Sequence, residues 1–249
     1  MPYLLVNDIN LYYEEIGKGE TLILLHGLLG SMEDWRRFIP LFSKYYRVIA
    51  VDLRGHGRTN NPKGELSNNL FCSDLTGLLD MLHLESVLIC GYSLGGYVGL
   101  MAALAQPFRI KALVMHASKM FWNDDIVGFM LQRLNPDRIL AKTPRFAETL
   151  QKMHGRDRWI LLLKEASEYL QTMPNEVLGL KDFGRVNIPV LVSVGDRDEL
   201  VPVEEAVRFY HALQRGELLV MPNTRHSLDT VREQVFIQAI LDFLTRVQK

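Results

Sequence analysis

The chain has 249 residues, 48% hydrophobic and 23% charged, enough for one substantial core and an inserted subdomain. With 28 basic and 29 acidic residues the net charge is -1, too weak a field to gather a nucleic-acid backbone or an anionic membrane surface. Met1-Pro2-Tyr3 lacks the basic flank and apolar stretch of a secretion signal, and no run approaches the roughly 20 apolar residues of a membrane span. The expectation is a cytoplasmic protein without nucleic-acid partner or membrane insertion, a monomer or homodimer, whose Cys72 and Cys90 are reduced structural thiols.

Leu4 to Val6 and Leu11 to Glu15 flank Asn7-Asp8 and read as an opening hairpin. Strand-like runs recur at Thr21 to Leu25, Val48 to Val51, Val87 to Cys90, Ala112 to Met115, Val190 to Val194 and Leu218 to Met221. Such continuous leucine and β-branched runs suit strands covered on both faces, so the fold class is α/β with a mostly parallel eight-stranded sheet. Helices are expected at Trp35 to Ser43, Leu70 to Leu82, Leu94 to Ala105, Glu204 to Leu213 and Val231 to Val247, the last amphipathic through Val235, Phe236, Ala239, Ile240 and Phe243. Between Ser118 and Phe183 the alternation breaks into apolar, helix-like stretches divided by Pro136, Pro144 and Pro174. The expected organisation is a core domain of residues 1–117 and 184–249, with 118–183 as a helical cap over the carboxyl edge of the sheet, where open α/β folds place ligands.

Gly91-Tyr92-Ser93-Leu94-Gly95 follows an apolar strand and fits a sharp strand-to-helix turn that presents a serine hydroxyl. A serine hydroxyl is a poor nucleophile at neutral pH; it needs a base to take its proton and a carboxylate to orient that base. His226 lies in the loop after the last strand, and Asp198 in the loop after Val190 to Val194, so both belong at the same sheet edge as Ser93.

Four motifs in order resemble the α/β-hydrolase superfamily along essentially the whole chain. His26-Gly27-Leu28-Leu29-Gly30 resembles its oxyanion loop, Asp52 to Arg58 the turn after its fourth strand, Gly91 to Gly95 its nucleophile elbow and Gly195 to Pro202 its acid loop. The pattern G-x-x-D-x-x-V-P selects Asp198 over Asp196. The resemblance implies a Ser93, His226 and Asp198 triad, with the backbone amides of Leu28 and Leu94 facing the developing oxyanion. One departure stands out: Arg225 precedes the histidine where the family often has glycine, and a cation there would disfavour the protonated imidazole.

Cap and loop offer Leu28, Leu29, Trp35, Trp122, Phe129 and Met130 as pocket walls for a small apolar acyl or ester substrate. His116, at the catalytic edge, is set among the substrate contacts, beside the plainer reading of a hydrogen-bonded histidine. His26 and His56 read as structural loop residues, and His83, His154 and His211 as solvated helix residues. No pattern for a metal or cofactor is present, so none is expected. The leading expectation is a carboxylic ester hydrolase. Lactone, thioester, peracid or diketone carbon-carbon chemistry, acyl transfer, and a binding module without turnover remain as alternatives. Dehalogenases and epoxide hydrolases of the superfamily place aspartate where Ser93 stands.

Overall fold

The computed structural model describes residues 3–175 and 178–247. A hairpin of β1 (Tyr3–Val6) and β2 (Ile9–Ile16) leads to β3 (Thr21–Leu25), α1 (Ile39–Phe42), β4 (Arg47–Val51), α2 (Asn68–Met81), β5 (Val87–Tyr92), α3 (Leu94–Ala105) and β6 (Ile110–His116). Then come α4 (Asp124–Arg133), α5 (Pro136–Lys142), α6 (Pro144–His154), α7 (Arg158–Thr172) and α8 (Leu180–Phe183). The chain closes through β7 (Val190–Gly195), α9 (Val203–Ala212), β8 (Gly216–Met221) and α10 (Glu233–Val247). The eight strands run β1-β2-β4-β3-β5-β6-β7-β8. Only the β1/β2 and β2/β4 pairings are antiparallel, as the sequence reading expects of a mostly parallel sheet.

Period-two alternation sorts the buried side chains between two cores. Ile23, Leu25, Ile89 and Leu113 face α2 and α3, while Leu22, Leu24, Leu88 and Val114 join Phe42 of α1 and Phe236, Ile240 and Phe243 of α10. Both faces are covered, which is why β3 and β7 are buried at every position.

The expected helix from Trp35 to Ser43 is instead two short pieces, a 3-10 turn at Met32–Trp35 and α1. Pro40 explains the break: without an amide proton it fits the first turn of a new helix and not the interior of a longer one. Pro136 and Pro144 likewise open α5 and α6, with Asn123 and Asn135 capping α4 and α5 through their side-chain oxygens. Helices α4 to α8 thus form one insert between β6 and β7. Phe183 of α8 returns it to the core by packing edge-on against Phe209 of α9, centroids 4.7 Å apart. Among the described residues, no helix is long and apolar enough to cross a membrane.

Candidate active site

Ser93 sits between β5 and α3 with φ 51° and ψ -114°, a left-handed conformation that costs a non-glycine residue on the order of 1–3 kcal/mol. The neighbours hold it there. A Cβ on Gly91 would overlap the backbone of Gly95 and Gly96, and one on Gly95 would overlap the Leu25 carbonyl, so only glycine lets helix and strand approach this closely. The Ser93 amide donates to the His116 carbonyl at 2.8 Å, and the Ser118 hydroxyl donates to the Ser93 carbonyl at 2.9 Å.

The other two side chains arrive on neighbouring strands. The amides of Asp196 and Arg197, after β7, donate to the carbonyls of Met221, at the end of β8, and Thr224, beyond it, at 3.0 and 2.9 Å. The Thr224 amide returns a bond to the Asp196 carboxylate at 3.1 Å. These bonds zip the two loops together and aim His226 at Asp198. His226 Nδ1 lies 3.0 Å from both Asp198 oxygens, and Nε2 lies 3.2 Å from Ser93 Oγ. Asp198 is itself fixed by the amides of Leu200 and Val201 at 2.9 and 2.8 Å, leaving its side chain fully buried. Asp196, by contrast, is surface-exposed and bonded to the loop; the Asn223 and Thr224 amides hold its carboxyl below the usual carboxylate range.

Leu94 is the first residue of α3, so its amide has no intrahelical acceptor. The His26–Gly30 loop lies directly against the Ser93 turn, since a Cβ on Gly27 would meet the Tyr92 ring at 2.8 Å and Ser93 Cβ at 3.3 Å. The His26 imidazole bridges the Gly27 carbonyl and the Leu53 amide, and burial pushes its pKa down to about 3.

Ser93 and His226 open onto a cavity of about 820 Å³ between the sheet edge and the insert. Of the expected wall residues, Leu28, Leu29, Trp122, Phe129 and Met130 line it, and so does Leu94. Two expected wall residues do not. Trp35 is wholly buried against Phe38 in the core beneath α1 and α10, because the 3-10 turn points it at the sheet. His116 is also wholly buried; it bonds Ser193 Oγ at 3.0 Å, meets Phe236 edge-on, and lies beside Tyr92, with burial pushing its pKa down to about 3. His154 is a third correction: far from being solvated, it is 5% exposed and wedged between insert and core. Arg225 has an exposed side chain and lies outside the left-handed region, so its site does not demand the glycine common in the family.

Several lining residues carried no sequence signal, among them Asp34, Tyr97, Lys119, Met153 and Tyr169. Asp34 neighbours the misplaced Trp35. Burial pushes its carboxyl up to about 7, opposed by the Gly27 amide and aided by Asp52, Asp229 and Glu33. Lys119 is taken up by Glu205, which also accepts the Met120 and Phe121 amides and so anchors the start of the insert. No group of described histidine, cysteine, aspartate or glutamate residues could hold a metal ion.

The family profile described as alpha/beta hydrolase fold matches residues 20–158, more than half of the chain. The chain is 28% identical to the 2-hydroxy-6-oxo-6-(2'-aminophenyl)hexa-2,4-dienoic acid hydrolase of Metapseudomonas resinovorans, over 94% of this chain and 87% of that one. Among solved structures it resembles the meta-cleavage product hydrolase of Pseudomonas fluorescens, with TM-score 0.83, 20% identity and coverage of 98% of this chain and 97% of that chain. A thermophilic esterase of Thermogutta terrifontis is similar with TM-score 0.81, 21% identity and coverage of 100% and 98%. With the eight-stranded sheet and the serine at its turn, the profile match establishes that this chain belongs to the alpha/beta hydrolase family.

Proposed function

We propose that the protein is a serine hydrolase that cleaves carboxylic esters of apolar acyl groups through an acyl-enzyme on Ser93. The observation that carries this reading is the unbroken contact from Asp198 through His226 to Ser93 at the floor of an apolar cavity. Ser93 Oγ attacks the carbonyl carbon while His226 Nε2 takes its proton, and Asp198 holds the Nδ1 proton and offsets the imidazolium charge. The carbonyl oxygen becomes an oxyanion facing the Leu28 and Leu94 amides, each worth on the order of 3 kcal/mol in such sites. His226 then gives its proton to the departing alcohol. Water, deprotonated by the same imidazole, attacks the acyl carbon and releases the acid.

Leu134, Leu150, Leu170 and Met173 also line the cavity, and these apolar walls suit an acyl chain longer than acetate. A second reading, hydrolysis of a carbon-carbon bond, is favoured by the Metapseudomonas resinovorans relative, whose keto acid substrate contains no ester. Such a substrate brings a carboxylate. Of the cations lining this cavity, Arg36 pairs with Glu14 and Glu33 and Lys119 with Glu205, while Arg37 bonds the Leu228 carbonyl and Arg133 lies over Phe129. The ester is preferred on the apolar lining of the cavity.

The test is a p-nitrophenyl ester series from acetate to dodecanoate, run beside Ser93→Ala and a vinylogous diketone acid. The expected kcat/KM rises by up to about fourfold per methylene until the cavity is filled, and vanishes in the variant. Flat, mutation-insensitive rates overturn the proposal; preferential cleavage of the diketone supports the second reading.

A further inference from the structure

His154 is the last residue of α6 and ties the insert to two loops of the core at once. Its Nε2 donates to the Leu29 carbonyl at 2.9 Å, and its Nδ1 accepts from the Gly57 amide at 2.9 Å. These partners lie 125 and 97 residues away in the chain. Donor on one side and acceptor on the other define a neutral imidazole with its proton on Nε2. Burial keeps it so, lowering its pKa to about 4 against the opposing pull of the Leu29 carbonyl.

The gripped carbonyl belongs to an unusual residue. The Gly30 amide donates to the Gly27 carbonyl at 3.0 Å, closing a four-residue turn in which Leu28 and Leu29 are the central positions. Leu29 has φ 63° and Leu28 does not share the left-handed region, which is the pattern of a type II turn. That turn calls for glycine or asparagine at its third position. A leucine there is strained and relaxes to negative φ unless something external holds it. Leu28, whose amide is the proposed oxyanion donor, is the preceding residue of the same turn.

We propose that His154 is a positioning residue: by holding the Leu29 carbonyl it keeps the oxyanion turn in the left-handed form that aims the Leu28 amide at Ser93. The inference rests on the serine-hydrolase reading for its kinetic consequence, though not for its structural one. It makes the seating of the insert a condition of transition-state stabilisation. A substrate that seats the insert well gains in kcat, and one that lifts it loses the donor as well as the pocket wall.

Three variants separate this role from simple attachment of α6. His154→Leu removes both bonds. His154→Asn keeps an acceptor near Nδ1 for Gly57, and His154→Gln keeps a donor near Nε2 for Leu29. On a p-nitrophenyl ester, the Leu and Asn variants are expected to lose about tenfold in kcat with KM within about twofold, and Gln to recover most of the loss. Inhibition by an alkyl boronic acid, which forms a tetrahedral adduct on a serine, is expected to weaken in proportion to kcat. A fall expressed only in KM, unchanged boronic acid affinity, or Asn and Gln variants that simply follow their melting temperatures would overturn the proposal. A crystal structure of His154→Leu decides the structural part independently of activity. Leu29 leaving the left-handed region supports the latch, and Leu29 unchanged overturns it. A wild-type protein that neither turns over the ester nor binds the boronic acid instead sinks the hydrolase reading.

Discussion

The Ser93 turn and the insert lie on opposite sides of one cavity and are held by different means. At Ser93 an unfavourable φ is enforced by close backbone contact, with glycine on both sides and a sheet hydrogen bond to His116. The insert is a set of helices capped by asparagines and interrupted by prolines, packed through Leu150, Leu162 and Leu163 and pinned to the core by a few polar contacts. The serine turn is thus fixed by backbone contact that tolerates no side chain, whereas the insert is held by side-chain packing and a few polar anchors.

The largest test of that contrast is chemical. Asp198→Asn is expected to lower kcat by about 10⁴-fold, as loss of the orienting carboxylate does in such triads, whereas Asp196→Asn, which does not touch the imidazole and keeps an oxygen to accept the Thr224 amide, leaves ester turnover nearly intact. Steady-state rates on one p-nitrophenyl ester compare the two. Next in size is Gly95→Ala, which sets a methyl against the Leu25 carbonyl and is expected to cost about 2–4 kcal/mol in urea unfolding.

Acid provides a third comparison. His26 and His116 are held down to about 3 and His154 to about 4, with His56 also well below the ordinary 6.5, in each case chiefly by burial. The unfolded chain binds protons below about 6.5 that the folded chain refuses, so stability is complete above that pH and is lost as pH falls toward 4 and 3. Each such histidine adds about 1.4 kcal/mol per pH unit to the slope. Asp34, raised to about 7, and Asp52, also raised by burial, work in the opposite direction, two groups against four. Urea midpoints from pH 7 to 4.5 are expected to fall steeply in the wild type and less steeply in His116→Gln. The smallest effect belongs to the insert: Gly128 in α4 is exposed and a Cβ there would meet open space, so Gly128→Ala is expected to stabilise by about 0.5–1 kcal/mol. If Gly95→Ala proved as mild as Gly128→Ala, the contrast would collapse.

What the sequence made legible was local. The strands announced themselves as short apolar runs, and Gly91-Tyr92-Ser93-Leu94-Gly95 as a turn, because those residues create their own geometry. Trp35 and His116 were misplaced because the sequence identifies a large or polar side chain near the sheet edge but not the face it turns to; Pro40 reset the helix that would have aimed Trp35, while Asp34 one residue earlier reached the cavity. His154 was illegible for another reason. Its partners are fixed only when α6 docks, and a histidine on an amphipathic helix looks the same in sequence whether its ring meets water or a carbonyl. Choosing Asp198 over Asp196 needed the family pattern, since both aspartates lie in the same loop and only coordinates separate the one that reaches His226.

The imidazole and its carboxylate ride on the last two strands, knotted to each other by main-chain bonds, while the hydroxyl stands on β5 nearer the centre of the sheet. Any disturbance that lifts β7 and β8 together from β6 therefore carries the imidazole outward with its companion still attached. Damage at that margin should cost reach ahead of basicity, leaving a well-formed imidazole-carboxylate couple with nothing to act upon.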